Sequence, residues 1–363
     1  MKLQVTQENL NRALGTVARV ANSRNALPIL ANILIKTANN RLSIAATNLD
    51  IAMTHYIGAK VTQEGSVTVP ARLMQDFVSS LPAGVIDLEL DGAKLHIRTE
   101  QYKSVVNGIP ADDFPVMPAI EDGKTWKIAG PTLKKALQQV VFAASNDESR
   151  PVLTGVFLHT VDGDLYMAAT DSYRLAERKL GSNNQEVKLL IPGSAMQDLL
   201  RIVSDFTDEV VVTHDDQQVL FQAGDVDLVA RLIEGNYPDY RKLIPQGFET
   251  SALLKRADFI NVTKVSSLFA RESAGSVTIN VDAESKQLSI HAIASQLGEN
   301  DASASAEVEG GGSITLNSRY LLDALQAFGS DKMQFCFNGK LEATLLRDDA
   351  SNDYLHIIMP LKS

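Results

Sequence analysis

Residue types that carry out chemistry are present in this chain but are never gathered. The six histidines, His55, His96, His159, His214, His291 and His356, are scattered, and no two share the H-x-x-x-H spacing that puts a pair of imidazoles on one helix face. Cys336 is the only cysteine, so neither a disulfide within the chain nor a multi-cysteine metal site can form. Three carboxylate pairs, Asp112-Asp113, Asp215-Asp216 and Asp348-Asp349, have the composition for metal-assisted or acid–base work. Each lies in a polar, turn-like stretch, where solvated loop charge is the simpler reading. Gly310-Gly311-Gly312 precedes a strand, which reads as a flexible turn. The phosphate-cradling patterns G-x-x-x-x-G-K-[ST] and G-x-G-x-x-G are missing, as is the serine-nucleophile pattern G-x-S-x-G. The expectation is therefore a chain with no catalytic residue, no metal and no cofactor.

The elements that would position any such residue are more informative, because they recur three times. An apolar strand, a polar turn and a second strand read Ile33 to Thr37, Asn39-Asn40, then Leu42 to Asn48. The pattern returns as Val156 to Thr160, Asp162-Gly163, Leu165 to Asp171, and again as Val277 to Val281 followed by Leu288 to Ser295. Alternating apolar residues around Asn-Asn or Asp-Gly predict hairpins. Further on in each copy a short strand runs into an amphipathic helix, at Val67-Thr68-Val69-Pro70, Leu189-Leu190-Ile191-Pro192 and Ile314-Thr315-Leu316-Asn317. The helical stripes predicted there are Leu73, Phe77 and Leu81; Met196, Leu199, Leu200 and Val203; and Leu321, Leu322, Leu325 and Phe328.

A helix also opens each copy. Thr6 can cap one carrying Leu10, Leu14 and Val17, Gly130-Pro131 precedes one carrying Leu133, Leu137 and Val140, and a third runs from about Arg256 with Ile260, Val265, Leu268 and Phe269. Leu10 and Leu133, like Thr47 and Thr170, lie 123 residues apart. Two helices and several alternating strands per copy predict three small α+β domains, at 1–120, 121–250 and 251–363, joined by Pro- and Gly-containing connectors.

The formal charge of −10 speaks against a protein that grips nucleic acid with its whole surface. It is compatible with an acidic exterior around a locally basic face. With one cysteine, no leader-like start and no apolar run long enough to span a bilayer, the expected setting is the cytoplasm, with no membrane contact. A threefold repeat without a catalytic centre suggests a ring or scaffold whose open edges close through a symmetric partner.

Four segments then carry a resemblance. Arg24-Asn25-Ala26-Leu27-Pro28-Ile29-Leu30, Ala168-Ala169-Thr170-Asp171-Ser172-Tyr173-Arg174-Leu175-Ala176, Leu232-Ile233-Glu234-Gly235-Asn236-Tyr237-Pro238-Asp239-Tyr240-Arg241 and Ile357-Ile358-Met359-Pro360 together resemble the bacterial DNA polymerase III beta subunit, the replicative sliding clamp. The resemblance runs in the same order over essentially the full length. It implies a non-catalytic processivity subunit: three repeated DNA-clamp domains, each with two helices and antiparallel sheets, forming a ring as a head-to-tail homodimer around double-stranded DNA. The implied partners are the DNA polymerase III catalytic subunit, the clamp loader, and other polymerases and repair proteins carrying short hydrophobic clamp-binding motifs. A repeat-built protein-binding scaffold that does not encircle DNA is the alternative.

The same resemblance assigns residues. Arg24, Arg72, Arg150 and Arg319 are expected to face DNA. A peptide pocket is implied at Leu153, Thr170, Ser172, Tyr173, Arg174, Leu175, Pro238, Lys242, Leu243, Ile357 and Met359, with the Arg at its rim. Lys103, within an edge strand over 101–107, and Leu268, Phe269, Glu299 and Asp301 are expected at the dimer interface. Two departures stand out. Ser172-Tyr173 replaces the family's more usual Gly-His, which implies an altered partner preference. Gly193-Ser194 replaces a frequent basic pair, which implies weaker DNA contact in the second repeat.

Overall fold

A computed structural model of the chain describes residues 1–21, 27–38, 40–204, 207–295 and 298–362. Arg24, with its neighbours Asn25 and Ala26, and Asn39 of the first hairpin turn lie outside the described residues.

One order of elements recurs three times, with one additional short strand, β5, in the first copy. The first repeat runs β1 (Lys2–Thr6), α1 (Gln7–Val17), β2 (Asn32–Ala38), β3 (Arg41–Thr47), β4 (Ile51–Gly58), β5 (Lys60–Gln63), β6 (Ser66–Pro70), α2 (Ala71–Ser80), β7 (Val85–Asp91), β8 (Lys94–Arg98) and β9 (Lys103–Asn107). The second has β10 (Lys124–Ala129), α3 (Gly130–Val140), β11 (Gly155–Val161), β12 (Asp164–Thr170), β13 (Arg174–Ser182), β14 (Lys188–Pro192), α4 (Gly193–Ile202), β15 (Glu209–His214), β16 (Gln218–Ala223) and β17 (Val226–Arg231). The third has β18 (Thr250–Lys255), α5 (Arg256–Phe269), β19 (Ser276–Asp282), β20 (Gln287–Ala294), β21 (Gly298–Glu309), β22 (Gly312–Asn317), α6 (Ser318–Ala327), β23 (Lys332–Phe337), β24 (Thr344–Asp348) and β25 (Tyr354–Ile358). This is the expected α+β repeat of two helices with antiparallel strands.

The chain divides into two compact units. One holds Met1–Pro131 with Asp198–Leu232, the other Thr132–Gln197 with Ile233–Ser363. The first unit contains a five-stranded sheet, β5-β1-β7-β8-β9, and an eight-stranded sheet, β10-β15-β16-β17-β4-β3-β2-β6. The second contains one twelve-stranded sheet, β14-β11-β12-β13-β25-β24-β23-β18-β21-β20-β19-β22. Pairing of β4 with β17, and of β13 with β25, is what merges strands of successive repeats into single sheets.

Local chemistry explains the ends of these elements. The Thr6 hydroxyl accepts from the Asn9 N–H and caps α1, and Asn317 Oδ1 accepts from the N–H groups of Arg319 and Tyr320 to cap α6. At each of the first two repeats' second hairpins a Thr and an Asn or Asp build the same turn. Asn48 Oδ1 accepts from the N–H groups of Asp50 and Ile51, and Asp171 Oδ1 from those of Tyr173 and Arg174. The Thr47 and Thr170 hydroxyls donate to the carbonyls of Ile51 and Arg174. Leu49 and Ser172, at matching places, take positive φ of 80° and 78°. The frame extends to the neighbouring strand, where the Arg231 N–H bonds the Asp50 carbonyl and the Met359 N–H bonds that of Tyr173.

Two helical stripes differ from expectation. On α2 the buried residues are Ala71, Met74 and Val78, one position away from the predicted line, and Leu73 is left 53% exposed. On α5 the buried residues are Phe259, Thr263 and Ser266, while Val265 and Leu268 are exposed. The polar pair on the buried face is satisfied: Thr263 donates to the Phe259 carbonyl at 2.7 Å and Ser266 to Asn300 Oδ1 on β21 at 2.9 Å.

Candidate functional site

The implied peptide pocket falls wholly within the second unit, and the sheet register assembles much of it. Thr170 is paired with Leu175 between β12 and β13, and Leu175 with Ile357 between β13 and β25. Leu175 and Ile357 are buried in one cluster with Ala168, Tyr240, Cys336 and Leu345, against which Phe157, Tyr237, Ile244, Phe248, Ala343 and Leu355 pack. This cluster is the floor. Around it stand exposed side chains: Ser172, Tyr173, Pro238, Lys242, Leu243 and Met359. Leu243 is 65% and Tyr173 58% exposed, a large apolar area for side chains with no covering element. Leu153 lies within the 3-10 turn Pro151–Thr154 and is itself buried.

Arg174 is not the rim group that was expected. Its guanidinium donates to Asp171 Oδ2 at 3.0 Å, to Asp323 Oδ2 at 2.8 Å and to the Phe142 carbonyl at 2.8 Å. It also lies over the rings of Tyr320 and Phe142, at 4.5 and 5.3 Å, and its side chain is only 11% exposed. Three of the five guanidinium N–H groups are thus engaged within the protein, so Arg174 acts as a tie between the second and third repeats. Arg150, expected with the DNA-facing cations, stands instead beside the groove. It pairs with Asp147 at 2.8 Å and donates to Ser172 Oγ at 3.0 Å, with 43% of its side chain exposed. The sequence signal for this is local: Arg150 directly precedes Pro151, as Leu27 precedes Pro28, so it stands at the start of a 3-10 turn rather than of an α-helix.

Around Tyr240, itself part of the floor, polar residues form a largely buried network. Tyr240 donates to Glu177 Oε2, Arg241 Nε donates to the same oxygen at 3.0 Å, and His159 Nε2 lies 2.7 Å from the Tyr240 hydroxyl. Burial, with Arg241 nearby, holds the His159 pKa down to about 4, so the ring is neutral. Since the hydroxyl proton goes to Glu177, His159 Nε2 carries its own proton and donates. His356 is fully buried and its pKa is lowered to about 3, by burial first and Arg174 second.

A separate cleft of about 480 Å³ in the same unit is bordered by Ile244, Phe248, Gln334, Cys336, Leu345 and Arg347. It shares Cys336 and Leu345 with the floor cluster, but neither Leu175 nor Ile357 borders it. The Cys336 thiol is pushed up to about 11 by burial, which keeps it protonated and unreactive. Among the described residues no group of His, Cys, Asp and Glu side chains could hold a metal ion.

Of the remaining DNA-facing expectations, Arg72 and Arg319 are exposed and occupy matching places as second residues of α2 and α6. The matching residue of α4 is Ser194, preceded by Gly193. A Cβ on Gly193 would lie 2.8 Å from the Thr154 carbonyl oxygen, so the backbone there excludes any side chain. Sequence reasoning missed a further cationic cluster in the first unit, where Arg12, Arg19 and Arg201 border a cleft of about 290 Å³ with Asp198.

For the expected interface residues, β9 is the terminal strand of its sheet, with Lys103 exposed beside Tyr102 and Val105. β21 pairs with β20 from Gly298 to Ser305, but with β18 only from Ala306 onward. Its first eight residues, including Glu299 and Asp301, therefore have one open side, and Val265 and Leu268 of α5 are exposed in the same unit. Phe269 is half-buried.

Comparison with known proteins adds to this geometry. Family models of the DNA polymerase III beta subunit match in three consecutive parts: N-terminal domain at 1–118, central domain at 127–239 and C-terminal domain at 241–362. The beta sliding clamp of Synechocystis sp. is 32% identical, with all of this chain and 99% of that protein covered. That of Bacillus subtilis is 29% identical over the full length of both. Among solved structures, the DNA polymerase sliding clamp from Bacillus subtilis superposes with a TM-score of 0.95 at 28% identity, covering 100% of this chain and 99% of that one. A DnaN sliding clamp from Bartonella birtlesii bound to griselimycin gives 0.94 at 28% identity, with both chains fully covered.

Proposed function

The chain belongs to the DNA polymerase III beta subunit family, and from that premise we propose that it is a sliding clamp: two copies close around double-stranded DNA and tether the replicative polymerase to it. The observation that carries this reading is the full-length match in three consecutive parts, on a chain whose own elements repeat three times. Processivity then comes from topology and not from catalysis, in keeping with a net charge of −10.

The three domains are 1–120, 121–250 and 251–363, working in the cytoplasm; no helix among the described residues is long and apolar enough to cross a membrane. Phosphate contact falls to Arg72 and Arg319, joined by Arg12, Arg19 and Arg201. Head-to-tail closure uses the two open strand edges. The β9 edge of one copy, with Lys103, meets the Gly298–Ser305 edge of the other, with Glu299 and Asp301, and Leu73, Val105, Val265 and Leu268 supply apolar cover. The groove over Leu175 and Ile357 takes short hydrophobic motifs from the DNA polymerase III catalytic subunit, the clamp loader and other polymerases and repair proteins.

The test is topological. Protein assembled on nicked circular DNA by a clamp loader should resist high salt and fall off when the circle is cut. Release by salt from circle and linear DNA alike would leave a scaffold that does not encircle DNA.

A further inference from the structure

The segment that carries Lys242 and Leu243 is a single 3-10 turn, Tyr240–Leu243, too short to hold its own geometry. It is fixed from below. Tyr240 is 3% exposed and sits in the floor cluster with Leu175 and Ile357, and Ile244 packs on the same cluster one residue past the turn. Leu243 is thus an exposed side chain held close between two anchored ones. The anchor at Tyr240 is polar: its hydroxyl donates to Glu177, receives from His159, and Arg241 closes the set while stacking over the Tyr166 ring at 3.9 Å.

That arrangement is costly for what it adds to stability. Glu177 is a carboxylate with 8% of its side chain exposed, and burying such a charge in company seldom gains more than an apolar residue would in the same space. What a directional network supplies and an apolar plug does not is one defined position, because the hydroxyl can satisfy His159 and Glu177 together in a single placement of the ring. Glu177 lies on β13 two residues after Leu175, and its strand partner Leu355 lies two before Ile357, so network and floor share one sheet face.

We propose that Tyr240, fixed by Glu177 and His159, is a positioning residue for peptide binding: it sets the turn so that Leu243 and Lys242 form one wall of the groove. The inference rests on the groove reading given above. The ligand class is a short extended peptide with apolar anchors, one of which packs against Leu243.

The test measures anisotropy of a fluorescein-labelled peptide containing Leu and Phe, titrated with the full chain. Tyr240→Phe should weaken binding about tenfold, the scale of one hydrogen bond to a charged group. In a Leu243→Ala background the same change should add less than about twofold, since Tyr240 acts through Leu243. Glu177→Met, which removes the acceptor while keeping most of the packing volume, should behave alike and serves if Tyr240→Phe folds poorly. Wild-type affinity in both variants, or a full additional loss on top of Leu243→Ala, overturns the inference while leaving the groove standing. Binding by wild type that is indifferent to Leu175→Ala and Leu243→Ala removes the groove reading and the inference with it.

Discussion

The guanidinium of Arg174 on β13 meets the carboxylate of Asp323 on α6 at 2.8 Å, across 149 residues of sequence. With Asp171 and the Phe142 carbonyl it forms a nearly buried three-way tie. Arg174→Ala strands Asp171, 13% exposed, and should lower unfolding free energy by about 2–4 kcal/mol, moderated because Asp323 is more open to solvent. Arg174→Lys should recover less than half, as one ammonium cannot reproduce the fork. Urea unfolding of both variants checks this.

Ser172 holds a φ of 78°, where a side chain is strained and glycine is not. Ser172→Gly should stabilise the protein by about 1 kcal/mol, less a little for the exposed bond from Arg150. A thermal midpoint that does not rise in calorimetry would show the turn to be unstrained.

Tyr173 adds bulk and a hydroxyl to the groove margin. Tyr173→His should widen the set of peptide motifs accepted, read as a change in rank order across a panel of labelled peptides. The same order in both proteins would remove Tyr173 from the determinants of preference.

Two buried rings give stability a pH dependence of known sign. His159 and His356 titrate at about 4 and about 3 when folded, against 6.5 ordinarily. Above about pH 6.5 both states are neutral and nothing changes. Below it the unfolded chain takes protons that the fold refuses, so stability falls as pH drops from 6.5 toward 4 for His159 and on toward 3 for His356. In urea titrations from pH 7.5 to 4.5, His356→Phe should show a shallower decline than wild type; equal slopes would mean that the ring is not held neutral.

Closure through open edges predicts a charge-sensitive dimer. Leu268→Glu should weaken self-association by at least about tenfold in sedimentation velocity, by placing a carboxylate where apolar contact forms. Lys103→Glu should do less, and mainly at low salt. Dimers of wild-type strength in Leu268→Glu would place the contact elsewhere.

Much of this was legible in the sequence, for reasons visible in particular residues. Thr47-Asn48 and Thr170-Asp171 mark the same turn because both use a hydroxyl and an Asx side chain to bond the backbone, and that chemistry is local. The stripe of α2 was misplaced because Leu73 is apolar yet exposed, and periodicity cannot separate core from a contact surface. The buried face of α5 was misread for the converse reason, since Thr263 and Ser266 are polar, the first satisfied one turn back at the Phe259 carbonyl and the second by Asn300, 34 residues on. Arg174 was assigned to the rim because Asp323 and Tyr320, which engage it, are remote in sequence.

The twin turns carry one last implication. Leu30 N–H to Leu27 carbonyl matches Leu153 to Arg150, and Arg231 to Asp50 matches Met359 to Tyr173. The carpentry is duplicated while the decoration differs: Leu27 for Arg150, Leu49 for Ser172, Asp50 for Tyr173, Arg231 for Met359. Selectivity in such a molecule is written on a chassis that exists twice, so it can be rewritten by swapping a handful of appendages without changing how any strand is paired.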